Sequence, residues 1–417
     1  ALLNKEKKFA VIVLDSIGDG INQSIWLNDN NKLKNVLKNS QCDLARIYKL
    51  TTLLLNLKPD EHEFKVMGMA PYAQSKYFLQ IYKDVFRNIL KFKDLSIVHK
   101  NRPKDLYKFL KHKLRYHRFD NIAGAVQYYL EKQVTELVKK VGKKYGIRSF
   151  FFSGGISMNI KMFNTLAKEK IVKKIYNAPS GSDESISIGA CYYLNKEKNS
   201  EPLKSLSLGL PILSKNKDLK SELNKSFKGK YKINYNASPS FIAKLLFNNK
   251  IIAYVCGNEE FGARALGNRS ILANPSYFEN VNKINLLIKS RDFWMPFALS
   301  IIDKYTRQFI KNPKNLKSEY MNLSFDTKEK YFKKIIAGSH PYDKSVRPQF
   351  VSKNKNKEYY EIIKSFGKLS KTYALLNTSL NLHGKPKSSS FKSIVKTFKN
   401  SGLEYLYINN KILVAKT

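Results

Sequence analysis

The stretch CGNEEFGARALGNRSILANPS, residues 256–276, is the part of the sequence from which the second half of the fold and its site are predicted. It follows an apolar run of strand character, residues 251–255, and contains three glycines and two arginines, Arg264 and Arg269. Glycine lets a backbone approach a ligand closely, and a guanidinium fits phosphate or carboxylate in a bidentate way. The stretch therefore predicts an anion pocket. A glycine-rich loop with solvated arginines is the alternative.

The length and composition predict two packed domains. A chain of 417 residues exceeds a usual single domain, and a hydrophobic content of 43 % is enough for packed cores. No apolar run reaches the roughly 18 residues of a membrane span, and the N-terminus lacks the layout of a signal peptide. The three cysteines are far apart and form no CxxC motif, which favours a reducing cytoplasm.

The charge of the chain is strongly positive, because 75 Lys and Arg stand against 33 Asp and Glu, a net charge of +42. A basic surface favours nucleic acid or anionic membrane as a partner. Here the lysines are spread over every segment, beside abundant Asn and Ile, and an AT-rich coding bias would produce the same mixture. There is no firm sign of a nucleic-acid partner, and anionic small molecules would be attracted in either case.

Residues 9–27 predict a β-hairpin in which Asp15 ends the first strand beside a glycine turn. A carboxylate at the tip of a buried strand can hold a metal and a polyphosphate, although Asp and Gly are also ordinary turn formers. Farther along, a strand at 148–152 leads through Gly154 and Gly155 into a helix. The free N–H groups of a helix start favour a nucleotide there, and a tight turn without a ligand is the alternative.

A further strand, residues 171–176, precedes a helix at 186–193, and Asp183 stands near the start of that helix. It could cap the helix or ligate a divalent ion together with Asp15. The order of these elements is that of one lobe of an actin-like ATPase fold. We predict three parts of the chain: an α/β first domain at 1–195, a polar Lys-rich linker at 196–218, and a second domain at 219–417.

Four polar clusters follow apolar strands in the second half, and binding sites collect convergent polar groups on loops of this kind. They are the stretch 256–276, Lys289 with Arg291, residues 345–349 around Arg347, and residues 375–386 with Asn377, Ser379 and Asn381.

Taken together, these motifs resemble those of the NodU/CmcH-type O-carbamoyltransferases, which include nodulation-factor and antibiotic carbamoyltransferases. The resemblance covers nearly the whole chain. It is carried by EFKVMGMAPY (63–72), SGG (153–155) with Asn159, EFGARALGNRSIL (260–272), PFA (296–298) with Ser300, RPQ (347–349), and LNTS (376–379) with Asn381, Gly384 and Pro386.

The resemblance implies an enzyme with an actin-like ATPase (RNase H-like) first domain and a YrdC-like second domain, α/β in the first and α+β in the second. The second domain would form carbamoyl-adenylate from carbamoyl phosphate and ATP, with Mg²⁺ at the phosphates. The first would pass the carbamoyl group to a hydroxyl of a sugar or glycoconjugate, aided by a bound Fe²⁺ ion.

The site residues that the resemblance implies fall into three groups. Catalytic contacts to phosphate would come from Arg264, Arg269, Lys289 and Arg347. Substrate and nucleotide contacts would come from Gly154, Gly155, Asn159, Gly262, Asn268, Ser270, Asn377, Ser379 and Asn381. Metal ligands would be Asp15 and Asp183.

The sequence departs from the family pattern at the metal site. In the family, a lobe with a His-x-x-x-His metal motif precedes the strand that ends in Asp15, and no such His pair occurs in this sequence. Its first residues also lack an initiator Met and enter a strand almost at once. We therefore expect a chain that lacks its N-terminal lobe and has an incomplete iron site, to be completed by an upstream lobe or a separate chain. Further departures are Ser182, Ser185, Asn258, Ala263 and Trp294.

Three alternatives stay open beside the O-carbamoyltransferase. One is a carbamoyl-adenylate synthase that serves a separate transferase chain. Another is a non-catalytic nucleotide-binding relative. The third is threonylcarbamoylation of tRNA, which the high charge would suit, although the signature at 260–270 is typical of the O-carbamoyl branch.

Overall fold

The computed structural model describes residues 6–30, 32–195, 203, 205–214 and 217–417. Its contacts divide the chain into two compact units. The first consists of Ala1–Pro202, Pro313–Leu316 and Asn322–Ser324, and the second of Leu203–Asn312, Lys317–Met321 and Phe325–Thr417.

The boundary between the units differs from the predicted linker at 196–218. Residues 196–202, 204, 215 and 216 of that linker lie outside the described residues. Its described part packs into the second unit, where Leu206 and Ile212 are buried in apolar clusters and the Gly209 N–H donates to the Glu259 carbonyl at 2.9 Å. A stretch that is polar in composition thus contributes two buried apolar side chains, Leu206 and Ile212, to the second unit.

The first unit is built on a five-stranded sheet. The strands of the unit, five in this sheet and two in a separate hairpin, are β1 (Lys8–Gly18), β2 (Ile21–Asp29), β3 (Lys32–Asn39), β4 (Leu90–Lys93), β5 (Ser96–His99), β6 (Ser149–Ser153) and β7 (Lys174–Asn177). The order in the sheet is β3-β2-β1-β6-β7, with β4 and β5 forming a separate hairpin. The predicted hairpin is confirmed: β1 and β2 pair antiparallel around Asp19 and Gly20, both of which have positive φ. β6 pairs parallel to both β1 and β7.

Helices accompany this sheet, and those that follow β6 and β7 stand where the sequence predicts helices. They are α1 (Leu44–Leu54), α2 (Glu63–Met69), α3 (Ser75–Ile81), α4 (Leu106–Leu114), α5 (Phe119–Tyr145), α6 (Ile160–Lys168) and α7 (Glu184–Leu194). The apolar spacing of α5 buries Val126, Leu137 and Val138, and the helix ends at Gly146 in the left-handed conformation. Taken in isolation, the small residues and the proline at 67–71 predict a loop around residues 61–73, and this is wrong for 63–69, which form α2 with Val66 buried on its inner side.

The second unit is built on an eight-stranded mixed sheet. The strands of the unit are β8 (Tyr231–Asn234), β9 (Ile252–Val255), β10 (Arg269–Ala273), β11 (Ala298–Ile302), β12 (Phe325–Asp326), β13 (Ser345–Val346), β14 (Pro348–Val351), β15 (Ala374–Ser379), β16 (Tyr405–Ile408) and β17 (Ile412–Lys416). The sheet order is β14-β11-β15-β10-β9-β16-β17-β8, and β12 pairs with β13 apart from it.

Helices cover both faces of this sheet, as the alternation of buried side chains shows. The helices are α8 (Leu219–Ser226), α9 (Pro239–Phe247), α10 (Glu279–Ile284), α11 (Thr306–Phe309), α12 (Lys357–Ser370) and α13 (Phe391–Lys399), and a π-helical turn, Asn285–Lys289, extends α10. Ala253 and Val255 belong to one apolar cluster, with α8 and α13 residues, while Ile252 and Tyr254 belong to the other, with α9 and α12 residues. The period of two along β9 therefore supplies two cores.

The mixed α/β class that the sequence predicts is confirmed in both units. The finer identities, an actin-like first domain and a YrdC-like second domain, stay predictions. Among the described helices, none combines the length and the apolarity that crossing a membrane requires.

Candidate active site

One edge of the second unit's sheet gathers most of the predicted site residues. β15 pairs antiparallel with β10 and β11, and β11 pairs parallel with β14. The end of β15, at Asn377 and Ser379, therefore lies beside the starts of β10 and β11, while Arg347 directly precedes β14. The sheet thus brings together segments that are about 30 to 110 residues apart in the chain, and this region is the candidate active site.

Four basic side chains form what we call the cation cluster: Arg264, Lys289, Arg291 and Arg347. Burial lowers the pKa of Arg347, and the positive charges of Arg264 and Arg291 lower it further. Burial and Arg264 lower the pKa of Arg291, and burial and Arg291 lower that of Lys289. Like charges that depress one another's pKa destabilise the ligand-free protein, and an anion among them would relieve that repulsion.

Lys289 is the most buried member of the cation cluster, with 2 % of its surface exposed. The π-helical turn after α10 places its ammonium against the loop after β15. Nζ donates to Asn381 Oδ1 at 2.6 Å and to Ser379 Oγ at 3.1 Å, and Ser379 Oγ donates to the same Asn381 oxygen at 2.7 Å. The predicted residues Ser379 and Asn381 therefore orient Lys289.

Arg291 is held by packing as well as by a hydrogen bond. The Arg291 guanidinium lies 5.0 Å from the centre of the Phe297 ring, and its Nη2 donates to Thr378 Oγ1 at 3.4 Å. The sequence pattern pointed to Arg291 only as a neighbour of Lys289. Its position in the cluster makes it a further candidate for anion binding.

At this sheet edge, the buried atoms Arg347 Nε and Asn377 Oδ1 have no hydrogen-bond partner among the described residues. The Asn377 amide nitrogen is used inside the protein, since it donates to Ser300 Oγ at 2.9 Å and to the Ala265 carbonyl at 3.1 Å. A buried polar group without a partner costs free energy. These atoms are therefore available to a ligand with both donor and acceptor groups.

Arg269, the second arginine of the stretch 256–276, has a different environment from that of Arg264. Arg269 is fully buried and donates only to backbone carbonyls in its described contacts. The acceptors are the carbonyls of Cys256, Gly257 and Asn268 for Nη1, of Leu210 and Ser389 for Nη2, and of Ser389 for Nε, at 2.9–3.3 Å. These contacts occupy all three guanidinium nitrogens, so we assign Arg269 to holding the surrounding loops rather than to phosphate contact.

Other predicted residues of the stretch also serve its internal geometry. The Asn268 side chain donates to the Asn258 carbonyl at 2.7 Å, and Ser270 Oγ accepts from the Gly267 N–H at 3.2 Å. Gly262 has φ +85°, which favours glycine. Internal hydrogen bonds thus hold the conformation of the loop that carries Arg264.

In the first unit, the parallel pairing of Val13 with Ser153 places the middle of β1, just before Asp15, beside the end of β6. A Cβ added to Gly155 would lie 3.2 Å from Asp15 Oδ1, so the glycine turn and this carboxylate are neighbours. Asp183 is at the start of α7 and makes no capping hydrogen bond.

Asn159 is occupied within the first unit. Its side-chain oxygen accepts from the Met162 N–H at 3.1 Å as the cap of α6, and its amide exchanges two hydrogen bonds with Gln127 at 2.8 and 3.0 Å. Its described contacts are those of a residue that fixes the turn after β6.

The metal site that the resemblance implies does not fit the described residues. Among them, no group of three or more His, Cys, Asp or Glu side chains is placed to hold a metal ion. Asp15 already accepts from the Ser16 N–H at 2.7 Å. The described donor set is therefore insufficient for the expected iron, and no step is assigned to a metal here.

Gly154 provides a stability prediction for the turn after β6. Its φ is +86°, and an added Cβ would lie 2.4 Å from the Leu14 carbonyl oxygen. We expect Gly154→Ala to lower the free energy of unfolding of the first unit by about 2–4 kcal/mol, from backbone strain and overpacking together. Urea unfolding checks this, with Gly155→Ala as the matched control because that Cβ would meet only a side-chain oxygen. Equal losses in both variants would contradict it.

Comparison with known proteins gives two family matches. The sequence model for "Carbamoyltransferase N-terminus" matches residues 4–192, and that for "Carbamoyltransferase C-terminus" matches residues 243–416. The expectation that the chain lacks its N-terminal lobe is therefore not supported.

Similar curated proteins come from archaea and bacteria. An uncharacterised protein of Methanocaldococcus jannaschii is 29 % identical over 424 residues, which cover 99 % of this chain and 80 % of that protein. Nodulation protein NolNO of Sinorhizobium fredii is 25 % identical over 98 % of this chain and 61 % of its own length. Nodulation protein NolO of Bradyrhizobium diazoefficiens is 28 % identical over 83 % of this chain and 64 % of its own length. The chain thus spans less than two thirds of both nodulation proteins.

Proposed function

The chain belongs to the carbamoyltransferase family, and on that premise we propose that it forms carbamoyl-adenylate from carbamoyl phosphate and ATP and transfers the carbamoyl group to a hydroxyl of a sugar or glycoconjugate. The observation that carries the proposal is the cation cluster at one edge of the second unit's sheet. Carbamoyl phosphate and the ATP phosphates supply the negative charge that such a cluster attracts. The second unit is accordingly assigned the adenylate-forming step.

The chemistry assigns separate tasks to the charged and the neutral groups. Water first cleaves carbamoyl phosphate to carbamate and inorganic phosphate, and a carbamate oxygen then bonds to the α-phosphorus of ATP as pyrophosphate leaves. Arg264, Arg291 and Arg347 balance the charge of these phosphates, and this stabilisation is strong because the groups are preorganised and partly buried. The free Asn377 Oδ1 can accept an N–H of the carbamoyl group. In the transfer step, the acceptor oxygen bonds to the carbamoyl carbon, the bond to AMP breaks, and the hydroxyl proton is lost.

A carbamoyl-adenylate synthase that serves a separate transferase chain is the second candidate. It is favoured by one observation, the lack of a metal-ligating group among the described residues. In that case the cation cluster would act as proposed, and the acceptor would be carbamoylated by another protein.

Pyrophosphate release tests the proposal. The protein is mixed with ATP, carbamoyl phosphate and Mg²⁺, and we expect release that depends on carbamoyl phosphate. Transfer of labelled carbamoyl to a panel of sugars then separates the two candidates, because the synthase would release pyrophosphate without labelling any sugar. Nucleotide binding without pyrophosphate release would overturn both and leave the non-catalytic alternative.

The buried ammonium of Lys289 makes stability depend on pH. Burial, and secondarily Arg291, hold its pKa well below the ordinary value of 10.5. Between the folded and unfolded pKa values the unfolded chain binds more protons, so stability of the ligand-free protein rises with pH in that window. Affinity for carbamoyl phosphate should fall over the same window as the ammonium is lost. Melting temperatures between pH 7 and pH 10 check this. As the pH rises, the melting temperature of the wild type should increase relative to that of Lys289→Met, and a constant difference between the two proteins would contradict the prediction.

A further inference from the structure

Lys387 is a lysine outside every motif discussed so far, and its ammonium lies under the loop that carries Arg264. Nζ donates to the backbone carbonyls of Glu260 at 2.6 Å, Gly262 at 3.0 Å and Arg264 at 3.4 Å. An ammonium has three N–H donors, so these three carbonyls use its full capacity. The Lys387 side chain thus fixes the backbone carbonyls of residues 260, 262 and 264.

The charge of Lys387 is balanced from the same loop. Its Nζ lies 3.8 Å from Glu260 Oε2 and 4.0 Å from Glu259 Oε1, and 9 % of the lysine side chain is exposed. Glu260 is itself buried, with 2 % exposed. An ion pair in this environment is costly to break from one side, because the remaining charge stays buried.

The other half of the loop is fixed by the side chain of Glu260. Its Oε1 accepts the backbone N–H groups of Leu266 at 2.6 Å, Arg269 at 3.2 Å and Asn268 at 3.3 Å. Lys387 holds carbonyls before the middle of the loop and Glu260 holds N–H groups after it. Arg264 lies between the two sets of contacts, and its charge lowers the pKa values of Arg291 and Arg347, two members of the cation cluster.

We propose that Lys387 is a positioning residue for anion binding, which sets the backbone of residues 260–264 so that the Arg264 guanidinium reaches the phosphate group of carbamoyl phosphate or ATP. The inference rests on the proposed function for the identity of the anion. Lys387 touches no substrate in this role. Its effect on catalysis passes through Arg264, and a small displacement of such a group is enough to lower the rate by one or two orders of magnitude.

The test is a double-mutant cycle of Lys387→Met and Arg264→Met, in which Met keeps the length of Lys without its charge and donors. We expect Lys387→Met to lower kcat/KM for carbamoyl phosphate by about 10–100-fold in the wild-type background, and by less than about 3-fold when Arg264 is already Met. Lys392→Met is the control, because Lys392 is exposed five residues later at the start of α13 and lies outside the polar clusters. A merely structural role would lower activity by the same factor in both backgrounds, and that result, or a fully active Lys387→Met, would overturn the proposal.

Binding of inorganic pyrophosphate to the same four proteins separates this proposal from the proposed function. If the wild type releases no pyrophosphate from ATP, the proposed function fails. The affinity cycle still decides the role of Lys387: weaker pyrophosphate binding in Lys387→Met that disappears in the Arg264→Met background supports it. Additive losses of affinity, or unchanged affinity, overturn it.

Discussion

Arg264→Met should lower kcat/KM for carbamoyl-phosphate-dependent pyrophosphate release by about 10²–10³-fold while leaving the fold intact. Arg264 is half-buried on a preformed loop, and its charge acts directly on Arg291 and Arg347. Removing one preorganised group that stabilises developing charge typically costs this much. Initial rates at varied carbamoyl phosphate give the value, and circular dichroism verifies the fold.

The matched control for this prediction lies in the first unit. Asp183→Ala removes a predicted metal carboxylate at the start of α7 and should leave pyrophosphate release within about twofold of the wild type, because adenylate formation is assigned to the second unit. Equal losses in Arg264→Met and Asp183→Ala would refute this division of labour between the units.

Arg269→Met should instead lower the free energy of unfolding of the second unit by about 3–5 kcal/mol. The substitution keeps the volume of the side chain but removes hydrogen bonds to carbonyls from three parts of the chain, the segments at residues 210, 256–268 and 389. The carbonyls that lose these hydrogen bonds stay buried, and Glu260 loses the nearby positive charge of the guanidinium.

Tryptophan fluorescence measures this loss in the second unit alone. The chain has two tryptophans, Trp26 in the first unit and Trp294 in the second. In a Trp26→Phe background, urea unfolding followed at Trp294 reports on the second unit. Arg264→Met in that background is the control and should shift the midpoint little. If the two arginine variants were destabilised equally, the structural assignment of Arg269 would be wrong.

Much of the fold follows from local patterns. The turn at Asp19 and Gly20, the apolar spacing of α5 and the cap of α9 by Ser238, which accepts from the Phe241 N–H at 3.2 Å, are each decided within a few residues. The misassigned α2 shows the limit of such patterns, because its helix depends on burial against other elements.

The site was predictable to the extent that its residues stand in distinctive motifs. Lys289, Arg347, Asn377 and Arg264 each follow or precede an apolar strand, and the sheet brings them to one edge. Lys387 gave no comparable signal, because a lysine after a Gly-Lys-Pro turn in a chain with 75 Lys and Arg is indistinguishable from a solvated one. Only its contacts with three carbonyls single it out.

The sequence alone determined that a glycine-rich segment with two arginines follows the apolar strand at 252–255, since glycine conformations and strand propensities are local properties. In the structure the loop ends at Asn268, and Arg269 begins β10. Only the tertiary structure decided that Arg264 faces the cation cluster and Arg269 faces the backbone. The reason is the position of the acceptors: the carbonyls of Leu210 and Ser389 lie 59 and 120 residues away from Arg269 in the chain. Long-range packing, which no local pattern encodes, separates the arginine that we propose binds the anion from the one that holds the backbone.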